Sequence, residues 1–126
     1  QLPMNVDIMS SWSIDRYGDI WGGFILKTLM DVRGDRMSVG GPLVNHGREA
    51  PFHANVPREH LAHLVNDEFI ALIRGMGARL APGSYLDMMH QVREEFGRPA
   101  AGVGPILKRY LAHLGDCLAA WLDVLK

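Results

Sequence analysis

The fold is decided by residues 15–46, which read DRYGDIWGGFILKTLMDVRGDRMSVGGPLVNH. The stretch begins with a polar turn, continues as an apolar segment, breaks at Gly34 and closes with a Gly-Gly-Pro turn and a histidine. Its apolar residues recur at steps of three and four, which predicts a helix from about Asp19 to Arg33 with one buried face. Within the stretch, Asp19 and His46 are the two side chains that suit chemistry better than packing.

Three more helices are predicted farther along the chain. Pro57 suits the first turn of a helix that ends near Arg74, because proline lacks the N–H that a first turn leaves free. Ser84 opens a third helix, and Asp87 follows it at the spacing of a capping box. The fourth helix covers residues 105–125, where leucines at helical intervals predict a continuous apolar face.

Short stretches of alternating apolar and polar residues predict strands near the front of the chain. Residues 4–12 form one of them and residues 36–39 another. About four helices with two or three short strands predict a helix-rich α/β portion, divided into residues 1–56, which carry the strands, and a helical subdomain over residues 57–126. Because so few strands cannot form a complete sheet, we expect the front third to be the edge of a larger sheet.

Length and composition limit the classes of function. The chain has 126 residues, which suits one domain, and its formal net charge of −1 gives no electrostatic reason to bind nucleic acid or an anionic membrane. No apolar run reaches the ~18 residues that a membrane span needs. The single cysteine fits a reducing compartment, so we expect a cytoplasmic protein. The start, QLPM, is neither a signal peptide nor a normal initiator, which suggests a piece of something longer.

Each candidate site residue has a functional and a structural interpretation. Asp19 is either a catalytic or hydroxyl-orienting carboxylate or a simple helix cap. His46 is either a metal ligand or acid–base group, or a hydrogen-bonded loop histidine. Trp21 either stacks on a sugar or packs in the core. Arg48 is either a diphosphate contact or a solvated surface residue. Gly22 costs helix stability, which suggests a close approach of backbone or ligand.

No complete catalytic motif accompanies these residues. His60 and His63 lie three positions apart on the second predicted helix, but the His-Glu-x-x-His arrangement of a zinc site is absent. The chain also lacks a glycine-rich phosphate loop, a nucleophile elbow and a Cys-x-x-Cys pair. Function must therefore be inferred from a wider pattern.

That wider pattern resembles a known family. Residues 16–59 are similar to the C-terminal part of the reversibly glycosylated polypeptides, the plant UDP-arabinopyranose mutases and their microbial relatives. The family shows an Asp-Asp-Met-Trp-Ala-Gly block, a Lys, Gly-x-Pro leading to a His, and an Asn-Leu-x-x-Glu block. The matching residues here are Gly18–Gly23, Lys27, Gly40–Pro42 with His46, and Asn55–Glu59. Gly18 stands where the family has the first acid of its Asp-Asp pair.

The resemblance implies a GT-A type glycosyltransferase fold that handles a UDP-sugar with a divalent metal, Mn²⁺ or Mg²⁺. Residues 1–56 would be the C-terminal segment of that catalytic domain. Asp19 would lie beside the sugar or acceptor, and His46 would complete a metal shell begun by an Asp-x-Asp motif. That motif and the nucleotide-binding half around it have no counterpart in this chain.

We therefore expect part of a metal-dependent glycosyltransferase or sugar-nucleotide mutase that acts on a UDP-sugar, with a sugar or glycan as acceptor. Asp19 is the predicted catalytic residue, and His46 is the predicted metal ligand. Trp21, Gly22 and Arg48 are the predicted substrate contacts. The N-terminal half or a partner chain would complete the donor site, so we expect the chain alone to be inactive.

The alternative is a non-catalytic helical interaction module that keeps a degenerate transferase edge. The apolar face of residues 105–125 would be its partner surface. A catalytic portion should place Asp19 and His46 in one cleft, whereas an interaction module has no reason to do so. Self-association that depends on Leu111 and Leu118 would favour the module.

Overall fold

The computed structural model describes residue 14 and residues 17–41, 47, 52–98 and 102–125. Four α-helices lie within these residues: α1 (Tyr17–Arg33), α2 (Phe52–Gly77), α3 (Tyr85–Gly97) and α4 (Pro105–Val124). Helix α1 packs mainly against α2 and helix α3 against α4, while a smaller contact joins α2 to α4.

The prediction of an α/β portion with short strands is wrong, since the described residues contain helices and no strand. Residues 36–39, predicted as a strand, have no regular structure, and Met37 and Val39 are 59% and 99% exposed. A strand needs a neighbour for its N–H and C=O groups, and these four residues make no backbone hydrogen bond to another described segment. The other predicted strand, residues 4–12, lies outside the described residues.

The end of α1 confirms the stop predicted at Gly34. This residue adopts φ 79°, which favours glycine, and its amide donates to the carbonyl of Asp31 at 3.2 Å. The amide of Asp35 donates to the carbonyl of Met30 at 2.9 Å. The two bonds form a Schellman motif, which satisfies carbonyls that the helix end would leave free.

Helix α2 begins earlier than predicted, at Phe52 instead of Pro57. Pro57 therefore lies inside the helix, where it has no N–H to donate to the helix ladder. Leu64 lies on the outer side of the helix, where its side chain is 55% exposed. Leu61 and Val65, its neighbours on the helix, are the ones that face the core.

The starts of α3 and α4 confirm the predictions made from their caps. The Ser84 hydroxyl accepts from the Asp87 amide at 3.1 Å, and the Asp87 carboxylate accepts from the Ser84 amide at 3.2 Å. Pro105 occupies the first turn of α4 after Gly104, which has no capping side chain of its own. The Glu68 carboxylate of α2 accepts a hydrogen bond from the Gly104 amide and so ties the start of α4 to α2.

One cluster of buried apolar side chains runs from Ile14 to Leu122 and includes residues of all four helices. The leucines of α4 provide its most regular part: Leu107, Leu111, Leu114, Leu118 and Leu122. The predicted boundary between residues 56 and 57 falls inside α2, and the front helix α1 packs on that same helix.

Candidate functional site at the start of α1

Asp19 is the third residue of α1 and its side chain is exposed. It is therefore not the N-cap that its sequence position suggested, because the helix begins at Tyr17. Within the described residues the Asp19 carboxylate makes no hydrogen bond or ion pair. A carboxylate in the first turn is favoured by the helix dipole, so Asp19 is a solvated anion that a ligand can reach.

The first turn of α1 is attached to α2 by a polar cluster that the sequence analysis missed. The Tyr17 hydroxyl lies 3.1 Å from Nδ1 of His63, and Nε2 of the same imidazole lies 3.6 Å from Oε2 of Glu59. Glu59 and His63 are four residues apart on one helix, which was the available signal. Nothing local could have paired them with Tyr17, which lies 46 positions away from His63.

Trp21 fixes the next part of α1. Its indole is fully buried, stacks on Phe69 with ring centroids 4.1 Å apart, and meets Tyr110 edge-to-face at 5.3 Å. Its Nε1 donates to Oδ1 of Asn66 at 3.1 Å. Trp21 thus has no exposed surface in this structure, and what it contributes to Asp19 is a rigid first turn.

The glycines beside Trp21 differ in their surroundings. Gly22 is half-buried, and Gly23 is exposed. A Cβ added to Gly23 would meet no other atom within 4 Å, so packing does not require glycine at that position.

The other two predicted site residues, His46 and Arg48, lie outside the described residues. The structure therefore does not place them relative to Asp19, and the single cleft expected for Asp19 and His46 stays a prediction.

The described residues do not fit a metal centre by themselves. Among them, no three His, Cys, Asp or Glu side chains are grouped closely enough to hold a metal ion. Asp19 and the Glu59–His63 pair do not form such a group. A manganese or magnesium site would need donors beyond these residues.

The length and hydropathy of the described helices show whether any of them could cross a membrane. None of them is both long enough and apolar enough to cross a bilayer.

Comparison with known proteins gives distant relatives. The chain is 22% identical over 114 residues to "Probable UDP-arabinopyranose mutase 1" of Pisum sativum and to "UDP-arabinopyranose mutase 1" of Oryza sativa subsp. japonica. Each match covers 87% of this chain and 29% of the relative, so the chain spans less than a third of the length of these curated relatives. The resemblance to the C-terminal part of this family is confirmed. No protein-family profile and no solved structure matches the chain.

Proposed function

We propose that this chain is the C-terminal portion of an enzyme that acts on a UDP-sugar, either a sugar-nucleotide mutase or a glycosyltransferase. The observation that carries the proposal is the match to two UDP-arabinopyranose mutases over 87% of the chain. The match extends well beyond the sequence blocks quoted for residues 16–59 and includes most of the helical part. The portion that binds the nucleotide would come from upstream residues or a partner chain.

In this proposal Asp19 orients a hydroxyl group of the sugar or acceptor. Its support is that the carboxylate is exposed, has no partner among the described residues, and sits on a turn fixed by Trp21 and Tyr17. A carboxylate accepts hydrogen bonds from sugar hydroxyls, and a fixed position is what an acid–base or orienting group requires. The first turn of α1 is therefore the proposed working surface of this portion.

His46 would be a ligand of a divalent cation, Mn²⁺ or Mg²⁺, with Arg48 near the diphosphate. When bound, such a cation offsets the negative charge on a leaving nucleotide. The remaining ligands would have to come from outside the described residues, because those residues hold no metal group.

Asp19→Asn tests the proposal in the enzyme that contains this chain together with its upstream portion. We expect kcat for the reaction of that enzyme with its UDP-sugar, UDP-arabinopyranose being the first to assay, to fall by about 100-fold or more, because a positioned acid–base group contributes that much. The melting temperature should stay close to that of the unchanged enzyme, since Asp19 has no hydrogen-bond or ion-pair partner to lose among the residues that the structure describes.

Asp31→Asn is the matched control. Asp31 is an exposed acid on the same helix, paired with Lys27 at 2.5 Å and three turns from Asp19. Removing its charge should leave kcat nearly unchanged, because Asp31 lies away from the proposed site. Stability should change little too, because surface ion pairs contribute little to it. Near-normal turnover of the Asp19→Asn enzyme would remove Asp19 from the proposed site.

A further inference from the structure

A groove lies between α3 and α4, on different helices from Asp19. It has a volume of about 350 Å³, within the range of small-molecule sites. Arg93, Glu94, Gly97 and Arg98 line the α3 side, and Gly115 and Asp116 line the α4 side. The proposed function makes no use of this groove.

The charged groups of the groove are available to a ligand. It contains two guanidinium groups and two carboxylates, and within the described residues none of these four side chains has a hydrogen bond or an ion pair. The next acid on α3 behaves differently, because Glu95 binds Arg79 at 2.5 Å. The groove therefore contains two positively and two negatively charged side chains that form no ion pairs with one another.

Two glycines keep the floor of the groove open. A Cβ added to Gly97 would meet no other atom within 4 Å, and one added to Gly115 would only reach ordinary contact distance, 4.0 Å, from Phe96. Neither residue is needed to let helices pack closely. Without side chains at these positions, a ligand can rest against the helix backbones.

We propose that this groove binds a polyhydroxylated anion, meaning a sugar that carries a phosphate or a carboxylate. Arg93 and Arg98 would bind the anionic group through paired N–H donors. Glu94 and Asp116 would accept hydrogen bonds from the sugar hydroxyls. The four charges cancel, so a simple anion gains little from the groove, and a neutral sugar leaves the arginines unused. A ligand with both features engages all four side chains.

The test is a ¹H–¹⁵N NMR titration of the 126-residue chain with glucose 1-phosphate. The backbone amides of Gly97 and Gly115 report on the groove, and the amide of Gly23 on α1 reports on a remote surface. We expect saturable shifts at the first two and none at the third. Glucose and inorganic phosphate, titrated separately, should each bind at least about tenfold more weakly, since each offers half of the contacts. Glucuronate shows whether a carboxylate replaces the phosphate.

Two variants locate the site. Arg93→Gln with Arg98→Gln should weaken binding of glucose 1-phosphate by about tenfold or more, because charge-assisted hydrogen bonds are lost. Gly97→Leu should fill the groove and abolish the shift at Gly115 while the helical circular dichroism is retained, because the position is open. Arg109→Gln, an exposed change on α4 outside the groove, is the control and should bind normally.

Two results of the titration would contradict the proposal. Absence of saturable shifts at Gly97 and Gly115 with both acidic sugars would overturn the proposal. So would equal affinity for inorganic phosphate and glucose 1-phosphate, which would indicate a plain anion contact. Because the titration needs neither UDP nor a metal nor turnover, its result does not depend on whether Asp19 is catalytic.

Discussion

Among the residues that the structure describes, Tyr110 is the one whose pKa the fold shifts most. It is buried beside Trp21, where a phenolate would lose its hydration, and this burial raises the pKa of Tyr110 above its usual range. In the unfolded chain a tyrosine ionises near pH 10. A group whose pKa is higher in the folded state contributes stability that is complete below the unfolded value and is lost as pH rises above it.

Tyr110→Phe should therefore change the alkaline limb of the stability curve. Above about pH 10, the free energy of unfolding of the unchanged chain should fall more steeply than that of the variant, by about 1.4 kcal/mol per pH unit. Urea unfolding followed by circular dichroism at a series of pH values measures both slopes. The comparison at neutral pH gives the pH-independent cost of removing the hydroxyl. Parallel curves above pH 10 would show that Tyr110 ionises equally well in the folded chain.

The candidate site residues show how far the environment of a single residue can be predicted from the sequence. Asp19 was predicted to stand near a helix start with a chemical role, and the structure places it exposed in the first turn of α1. Trp21 carried two interpretations, and its helical spacing agreed with the core position that it occupies. The Tyr17–His63 contact was not predictable, because a hydrogen bond between helices depends on their relative placement.

At the scale of the elements, α1 and α2 approach each other closely at Gly77. A Cβ there would lie 2.9 Å from Cγ2 of Thr28, too close for two carbon atoms. Thr28 cannot easily move away, because a β-branched side chain is stiff and its hydroxyl donates to the Phe24 carbonyl at 2.9 Å. The pairing of α1 with α2 therefore depends on glycine at this position.

Gly77→Ala should destabilise the chain by about 1–3 kcal/mol, the usual cost of overpacking. In a Thr28→Ser background the cost should shrink, because serine lacks the obstructing methyl group and keeps the hydroxyl. Gly75→Ala is the control, since its Cβ would lie 3.8 Å from Arg79 and the change should stabilise the helix by about 0.5–1 kcal/mol. Urea unfolding of the four variants measures the coupling, and an equal cost of Gly77→Ala with and without Thr28 would rule out the clash.

Helix boundaries were predictable where a local chemical signal marks them. Gly34, Ser84 and Pro105 each act through bonds or dihedral angles within a few residues, and each boundary is confirmed. Pro57 misled the prediction because proline suits a first turn but does not require one, and α2 extends five residues farther toward the N-terminus. The strand predicted at residues 36–39 is absent, because an alternation of apolar and polar residues over four positions does not provide the neighbouring strand that a strand needs.

At the scale of the whole molecule, the leucine face of α4 is used inside the chain. Leu111 and Leu118 are fully buried in the core that the helices share. Helix α3 packs against α4. The interaction module would need these side chains on its surface. In this structure both side chains are instead buried in the chain's own core.

Leu118→Ala should therefore act on stability and leave the association state unchanged. We expect a loss of about 2–5 kcal/mol in the free energy of unfolding, the cost of a cavity at a buried leucine. Sedimentation velocity should give the same species as for the unchanged chain. Val124→Ala, at an 84% exposed position of α4, should change stability by no more than about 0.5 kcal/mol. A folded Leu118→Ala chain of unchanged stability that has lost self-association would instead favour the module.

By itself, the sequence determined three helix boundaries, the buried leucine stripe of α4 and the resemblance to the UDP-arabinopyranose mutases. These features are local or ordered along the chain, so periodicity, caps and blocks of residues are enough to find them. Only the tertiary structure decided that the described part is helical, that Trp21 is enclosed by Phe69 and Tyr110, and that His63 holds Tyr17. Each of these depends on side chains dozens of residues apart, and their free energy comes from burial and hydrogen bonds that form only when α1, α2 and α4 meet.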